Sequence, residues 1–163
     1  MSSKFATQTM VTVEKSRADI EAVLSRYGAN QFGYATDSIR GLASIQFRAK
    51  DRQVRFILRL PSFTEKRFAF TASDKPRSSD DQRKVYEQAC RQRWRALLLC
   101  IKAKLEAVEC GITEFEAEFM AQIVLPSGQT VGEFMAPQIA NAYLTGESPP
   151  GIAGLLPAPK DGK

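Results

Sequence analysis

Two neighbouring stretches in the first half of the chain alternate between apolar and polar residues. The pattern runs through ASIQFRA at 43–49 and VRFILRL at 54–60, each with apolar side chains at every second position. A period of two places alternate side chains on opposite faces of a β-strand, so one face of each strand is predicted to be buried. The polar residues 50–53 connect the two strands, and Pro61 follows the second, so we predict an antiparallel hairpin that ends at Pro61.

Shorter patterns before and after this hairpin predict the rest of a small sheet. TMVTVE at 9–14 and QFGYAT at 31–36 have strand composition, and the FAF segment at 68–70 is a further candidate. Between the first two, apolar residues recur at helical spacing, which predicts a helix with Ser16 as its N-cap and Gly28 at its end. We therefore expect an antiparallel sheet of three to four strands.

The longest periodic pattern lies in the second half of the chain and predicts one long helix. The helix follows the polar residues 73–81, with Asp80 or Asp81 as its predicted N-cap, and continues to about Cys110, with Gly111 just past its end. Its apolar residues recur with a period near 3.6, as they do on a helix with one buried face. They are Cys90, Trp94, Leu97, Leu98, Ile101, Leu105 and Val108.

Two shorter helices are predicted after the long one. Thr113 with Glu116, and Thr130 with Glu133, have the spacing of a capping box, in which each Thr begins a helix. Pro137 lies inside the second of these helices and is predicted to kink or restart it.

These elements combine into a single α+β domain over residues 1–144. A small antiparallel sheet is predicted to pack against the long helix, with additional C-terminal helices. Residues 145–163 hold four of the eight prolines and four of the ten glycines, which predicts a flexible tail.

Composition narrows the chemistry that the chain can perform. None of the 163 residues is His, which removes Ser-His-Asp and Cys-His nucleophile systems and His-metal sites. Cys90, Cys100 and Cys110 turn by roughly 80° from one to the next around a helix, so they do not converge on a disulfide or a metal. We predict no enzyme activity, no cofactor and no metal site.

No segment of the sequence indicates export or a membrane. The N-terminal residues lack the continuous apolar stretch of a signal peptide. No segment approaches the ~18 apolar residues that span a bilayer. We therefore expect a cytoplasmic protein with reduced cysteines and no membrane partner.

Positive charge is concentrated in the middle of the chain. Residues 40–104 hold 17 Lys and Arg against 6 Asp and Glu, a net charge of +11, whereas the remainder holds 6 against 12, a net charge of −6. The overall charge of +5 therefore conceals two oppositely charged parts. Segregation of this kind creates a local field that attracts polyanions, so nucleic acid is the predicted partner.

Two sets of cations are candidates for the binding surface. On the long helix, four residues separated by 7, 4 and 7 positions fall within about 40° of one another, in a row about 27 Å long. They are Lys84, Arg91, Arg95 and Lys102. On the hairpin, the face turned away from the core carries Arg48, Arg55 and Arg59. We predict that these seven residues bind phosphate in a groove between sheet and helix, with Tyr34 or Phe68 as surfaces on which bases stack.

The same charges can also be explained without a ligand. Charged residues on the solvent side of a helix are ordinary, and Arg91, Arg95 and Lys102 have glutamates nearby with which they can pair. Those glutamates are Glu87, Glu106 and Glu109. The acidic C-terminal helices can also fold over the basic region and neutralise it.

Two stretches resemble proteins encoded by phages and prophages. One is SRADIEAVLSRYGANQFGY at 16–34, and the other extends over 88–143, from QACRQRWRALLL to QIANAY. This resemblance implies a mobile-element origin and no particular chemistry. The order of a helix, three antiparallel strands and a long basic helix is also similar to the core of single-strand annealing proteins of the phage recombinase kind. That similarity implies single-stranded DNA in a basic groove, and a homo-oligomer.

Three functions are compatible with these patterns. The first is a non-catalytic protein that binds single-stranded DNA of a phage or mobile element. The second is a protein-interaction module directed at a host or phage protein, such as an inhibitor of a host defence system or an accessory subunit. Its contact surface would be the acidic helices and the GLLP segment at 154–157. The third is a metal-dependent nuclease built on Glu114, Glu116 and Glu118, which is disfavoured because alternate residues on a helix point apart.

Overall fold

A computed structural model describes residues 10–147. Five helices and three strands follow one another in this part of the chain, with a 3₁₀ turn at Met120–Gln122 between the last two helices. The elements are α1 (Val13–Arg26), β1 (Asn30–Asp37), β2 (Leu42–Ala49), β3 (Arg52–Arg59), α2 (Lys66–Ala69), α3 (Ser79–Glu109), α4 (Phe115–Phe119) and α5 (Val131–Thr145).

The three strands form one antiparallel sheet in the order β1-β2-β3. Ile45 at the centre of β2 pairs with Tyr34 on one side and with Phe56 on the other. The hairpin between β2 and β3 turns through Lys50 and Asp51, which have φ angles of 45° and 58°. Two positive φ angles suit the right-handed twist of the flanking strands, which is why two-residue hairpins adopt them. The predicted hairpin is confirmed, with a shorter connection than expected.

One face of the sheet packs against α1 and α3 and forms the core. Ile45, Phe47 and Val54 from the sheet are buried in the same cluster as Trp94 and Ile101 from α3. Burial of each large apolar side chain contributes about 1.5–3 kcal/mol, so this cluster holds the sheet and helices together. The α+β fold, with a small antiparallel sheet on a long helix and further C-terminal helices, is therefore confirmed.

The beginning of the described chain differs from the prediction. Val13 and Glu14 already belong to α1, so the strand expected at 9–14 is wrong over these residues. Thr12 is the N-cap, and its hydroxyl accepts a hydrogen bond from the Lys15 backbone N–H at 3.2 Å. Ser16, the predicted cap, is instead buried inside the first turn. The hydroxyl of Thr12 can cap a helix as that of Ser16 can, and it lies four residues earlier, so the helix is longer than predicted.

The segment between the sheet and α3 also differs from the prediction. The FAF segment is not a strand, because Phe68 and Ala69 lie in the short helix α2. Phe70 instead forms an isolated bridge with Pro76, so the expected polar loop begins as a tight turn. The long helix is capped by Ser78, whose hydroxyl accepts from the Asp81 N–H at 3.2 Å.

The two predicted capping boxes have opposite outcomes. Thr130 and Glu133 form one, with Glu133 N–H donating to the Thr130 hydroxyl at 3.1 Å and Thr130 N–H donating to the Glu133 carboxylate at 2.7 Å. Thr113 does not begin α4, because Glu114 occupies the N-cap position without a side-chain hydrogen bond. Gly132 lets α5 approach the 3₁₀ turn closely, since a Cβ there would lie 2.9 Å from the Ala121 carbonyl oxygen.

The last helix packs by its first turns and leaves the rest of its surface open. None of the 15 residues of α5 is buried. The predicted tail at 145–163 lies outside the described residues from Ser148 onward. Within 10–147, no helix combines the length and apolar character needed to cross a membrane.

Candidate nucleic-acid interface

The four cations predicted on the long helix lie along one side of α3, and we call them the α3 row: Lys84, Arg91, Arg95 and Lys102. They flank the buried stripe rather than oppose it, because Trp94, which precedes Arg95, and Leu98, one helical turn before Lys102, are both buried in the core. The row borders α1, since Nη1 of Arg95 lies 3.6 Å from Oδ2 of Asp19. α3 is continuous from Ser79 to Glu109, so the helical rise gives the row a length of about 27 Å.

Carboxylates approach the α3 row only loosely. Lys84 lies 4.0 Å from Asp81, and Arg91 lies 3.9 Å from Glu87. Arg91 instead donates two hydrogen bonds to the Gln88 amide oxygen, at 2.7 and 3.1 Å. The Lys84 pair is exposed, and such pairs contribute about 0.2–1 kcal/mol, so a phosphate can compete for this lysine. The Arg91 side chain is partly buried, and its contact with Glu87 is similarly long.

Lys102 ends the basic part of the row and is its least engaged member. It is exposed and forms no ion pair within the described part of the chain. One turn further along the same side, Glu106 accepts a hydrogen bond from the Tyr27 hydroxyl at 3.0 Å. The side of α3 that faces α1 therefore changes from basic to acidic between Lys102 and Glu106.

The three sheet arginines lie on the opposite face of the sheet from α3. Phe47, Val54 and Phe56 point into the core, so the alternation of the strands turns the arginines away from it. Those arginines are Arg48, Arg55 and Arg59. The sheet therefore separates them from the α3 row, and the groove predicted between sheet and helix is not formed by the seven candidates. The residues that the sequence predicted as one site therefore lie on two separate surfaces.

Arg55 is withdrawn from solvent by the C-terminal segment. Its guanidinium donates to the Glu133 carboxylate at 2.8 Å and to the Gly128 carbonyl at 2.9 Å, and only 19% of its side chain is exposed. The backbone hydrogen bond from Thr130, together with Arg55, lowers the pKa of Glu133 below its ordinary value. Arg55 therefore anchors α5 to the sheet and is not free to bind a phosphate.

Arg48 and Arg59 remain accessible on that outer face. Arg48 lies 3.5 Å from Asp51, and Arg59 has no ion-pair partner among the described carboxylates. Arg48 lines a groove of ≈ 510 Å³ that also contains Gln46 and Gln53, whose amides bond to each other at 3.1 Å. On this outer face, Arg48 and Arg59 are therefore held less tightly than Arg55.

Acidic residues of the C-terminal third neutralise part of the basic middle, as the ligand-free interpretation predicts. The short pairs are Arg52–Glu116 at 2.6 Å, Arg55–Glu133 at 2.8 Å and Lys104–Glu118 at 2.9 Å. These pairs join the two oppositely charged parts of the chain. The pairs within the α3 row are longer, and none of them involves a residue from the C-terminal helices.

The glutamates considered for a nuclease do not converge. Glu116 pairs with Arg52 on β3, whereas Glu118 pairs with Lys104 on α3. Across residues 10–147, no group of three potential metal ligands is present. Cys90 is a free, half-buried thiol whose pKa is raised by burial, so it is mostly protonated at neutral pH.

Neither aromatic ring proposed for base stacking is freely available. Phe68 is buried, with 1% exposure, so its prediction is wrong. Tyr34 is partly buried, with the Arg17 guanidinium 5.0 Å from the centre of its ring. Around α2 the exposed rings are Phe63 and Phe70, at 44% and 37%, and on α5 they are Phe134 and Tyr143. The sequence shows that aromatic residues cluster around α2, but it does not show which ring is buried. A four-residue helix is too short to display a hydrophobic periodicity.

Comparison with protein-family models, curated proteins and solved structures gave no match for this chain. The function must therefore be inferred from the surface itself.

Proposed function

We propose that the chain is a non-catalytic nucleic-acid-binding protein, which holds single-stranded DNA of a phage or mobile element in the host cytoplasm. The α3 row is the proposed binding surface, with phosphates as its main ligands. Phosphate contacts orient a strand but carry little sequence information, so we expect binding of low sequence specificity.

The observation that carries this proposal is the contrast among the cations. Arg52, Arg55 and Lys104 each hold a carboxylate at 2.6–2.9 Å, whereas no carboxylate within residues 10–147 comes nearer than 3.6 Å to the α3 row. A fold that pairs its structural cations tightly and leaves one aligned set loosely paired retains a positive field along that helix. Such a field attracts a polyanion.

The test is a titration of labelled single-stranded DNA, duplex DNA and RNA, followed by fluorescence anisotropy between about 50 and 200 mM salt. Affinity should fall steeply as salt rises. Replacing Arg91→Gln together with Lys102→Gln should weaken binding of the single strand and reduce the salt slope by about 1.4, since each lost phosphate contact removes ~0.7.

The matched control is Arg48→Gln with Arg59→Gln, which removes the same charge from the outer face of the sheet. This variant should keep most of the slope. Absence of binding at about 50 mM salt would refute nucleic-acid binding. An equal loss in both double variants would show that net charge, and not the α3 row, determines affinity. Thermal melts verify that each variant is folded.

A second candidate function is favoured by the exposed surface of α5. Glu133 is the only charged residue of this helix. Four of its large apolar side chains are exposed: Phe134, Ile139, Tyr143 and Leu144. Exposed apolar side chains on one helix favour a surface that binds another protein. We therefore retain the protein-interaction module, directed at a host or phage protein, as the alternative, although its GLLP segment lies outside the described residues.

The two functions are separated by one comparison. If the chain binds no nucleic acid, but co-purifies with one protein in a fixed ratio that Tyr143→Ser abolishes, then the interaction module is the function. If Tyr143→Ser leaves both DNA affinity and solution mass unchanged, α5 has no part in either activity. Static light scattering at several concentrations measures the mass.

A further inference from the structure

A concave surface lies between α2 and the turn that follows it, on the N-terminal side of α3. This α2 cavity measures ≈ 500 Å³, a volume within the range of small-ligand sites. It is lined by Lys66, Arg67, Phe70, Thr71, Ala72, Asp74 and Arg77. None of these residues was among the predicted binding residues.

The frame of the α2 cavity is ordered by backbone hydrogen bonds. Thr71 N–H donates to the Lys75 carbonyl at 2.8 Å, and Arg77 N–H donates to the Ala69 carbonyl at 2.8 Å. Beneath the cavity, the buried Phe68 meets Tyr86 of α3 edge to face, with 5.6 Å between ring centres. The turn is therefore fixed at both ends, and α2 is anchored to α3.

The lining of the α2 cavity is positively charged. Lys66, Arg67 and Arg77 contribute three cations against the single carboxylate of Asp74. Lys66 pairs with Asp74 at 3.0 Å, but both side chains are 73% exposed, so water screens the pair. Arg67 is paired with Glu65 at 2.6 Å.

Arg77 differs from the other two cations of the lining. It forms no ion pair with a described carboxylate, and its Nε is buried without a hydrogen-bond partner. A buried donor without an acceptor is uncommon and costs free energy. Arg77 also lines the cavity, and its guanidinium Nη atoms match phosphate oxygens, so an anion there has this unpaired cation as a partner.

The remaining element of the α2 cavity is an aromatic ring. Phe70 lines the cavity and is 37% exposed, although a ring of its size is usually covered in a soluble protein. Lys66 Nζ lies 5.7 Å from the centre of the ring. A phenyl ring bordered by cations is the surface on which proteins stack nucleobases while they hold the attached phosphate.

We infer that the α2 cavity binds one nucleotide of a single strand, with the base on Phe70 and its phosphate on Arg77. This inference rests on the proposed function and deepens it. The α3 row contacts phosphates alone and cannot distinguish a single strand from a duplex. A base can reach Phe70 only when it is unpaired, so the cavity supplies the preference for single strands.

The test compares a thymidine oligonucleotide with an abasic oligonucleotide of equal length, which has the same phosphates and no bases. The wild-type chain should bind the thymidine strand more tightly. Phe70→Ala should weaken that binding by about tenfold and leave the abasic strand almost unaffected, since stacking on one ring is lost. Arg77→Gln should weaken binding of both strands. Phe63→Ala is the matched control, because this ring is exposed but lies outside the cavity.

The outcomes separate this inference from the proposed function. Equal affinity of the wild-type chain for both strands, or equal effects of Phe70→Ala and Phe63→Ala, overturns the cavity and leaves the α3 row intact. If Phe70→Ala and Arg77→Gln lose affinity and the α3-row variant does not, the α2 cavity is supported as a binding site and the α3 row is rejected. If no strand binds, calorimetry with thymidine monophosphate tests the α2 cavity alone. Binding of the nucleotide that is weakened by Phe70→Ala supports the cavity. Absence of nucleotide binding overturns it.

Discussion

Arg55 lies on the outward-facing side of its strand, yet most of its side chain is covered. Its contacts, Glu133 and the Gly128 carbonyl, belong to a segment more than 70 positions later in the chain. The Glu133 carboxylate serves two purposes there, because it also accepts the Thr130 N–H in the capping box. One carboxylate therefore both begins α5 and binds that helix to the sheet.

The stability of this contact should depend on pH. The pKa of Glu133 is lowered in the folded chain, so its carboxylate stabilises the fold above the ordinary pKa of about 4.3 and loses that effect as pH falls through the folded value. Near neutral pH, Glu133→Gln should cost about 0.5–1 kcal/mol, a modest figure because 41% of the carboxylate side chain is exposed to screening water.

Urea denaturation of both proteins between about pH 7 and pH 3 measures this dependence. The difference between wild type and Glu133→Gln should shrink as pH falls toward 3, because protonation of Glu133 removes its charge. Glu21→Gln is the control, since Glu21 is exposed on α1 and forms no ion pair among the described residues. A difference that persists at low pH would show that shape, and not charge, is responsible.

At the scale of elements, α5 is attached through a few close contacts in its first turns. Gly132 is central to them, because its missing Cβ admits the Ala121 carbonyl oxygen. Next to this contact, Val124 N–H donates to the Gln53 carbonyl at 2.8 Å and Ile123 forms a bridge with Val54, which extends the sheet beyond β3. The rest of α5 extends beyond these anchors.

Gly132→Ala should therefore destabilise the attachment of α5, although Ala is the better helix former by about 1 kcal/mol. A Cβ at 2.9 Å from a backbone oxygen forces a shift, and overpacking of this kind costs about 1–3 kcal/mol. Amide hydrogen exchange followed by mass spectrometry should show faster exchange in residues 120–133 than in wild type.

Exposed positions on α5 provide the control for this variant. Ala140→Gly, at an exposed position, changes helix propensity without the close approach and should loosen only α5 itself. Slower exchange in Gly132→Ala than in wild type would contradict the proposed contact, because helix propensity would then outweigh the crowding.

At the scale of the whole molecule, the acidic C-terminal third limits the charge of the basic middle. Glu116 and Glu118 hold Arg52 and Lys104 in short ion pairs, so these two cations are not available to a ligand. The cations of the α3 row are left to act together. Some of the opposite charges of the two parts of the chain therefore form ion pairs that hold these parts together.

Removing both acids should increase affinity for nucleic acid. Glu116→Gln with Glu118→Gln frees two cations, so binding of single-stranded DNA should tighten several-fold at low salt and its salt slope should steepen. Glu14→Gln with Glu21→Gln changes the net charge equally on α1, at two glutamates that form no ion pair among the described residues, unlike Asp19, which pairs with Arg95. If both variants gain affinity equally in an anisotropy titration, then net charge alone is responsible.

The sequence by itself determined the elements whose pattern is local and long. The hairpin and α3 were predictable because strand alternation and helical periodicity each extend over many residues. The spacing of a capping box predicted the start of α5 at Thr130 and Glu133, but the same spacing failed at Thr113 and Glu116. The α3 row follows from the same helical geometry. The predicted N-cap residues of α1 and α3 were wrong, because several hydroxyl and carboxylate side chains near each helix start can serve as the cap.

Only the tertiary structure decided which predicted cations share a surface. The helices cover one face of the sheet, so Arg48 and Arg59 cannot join the α3 row, and this depends on packing between residues distant in sequence. The same packing buried Phe68 and left Phe70 exposed two positions later. Local pattern determines which side of an element a residue occupies, but only contacts between elements determine what that side meets.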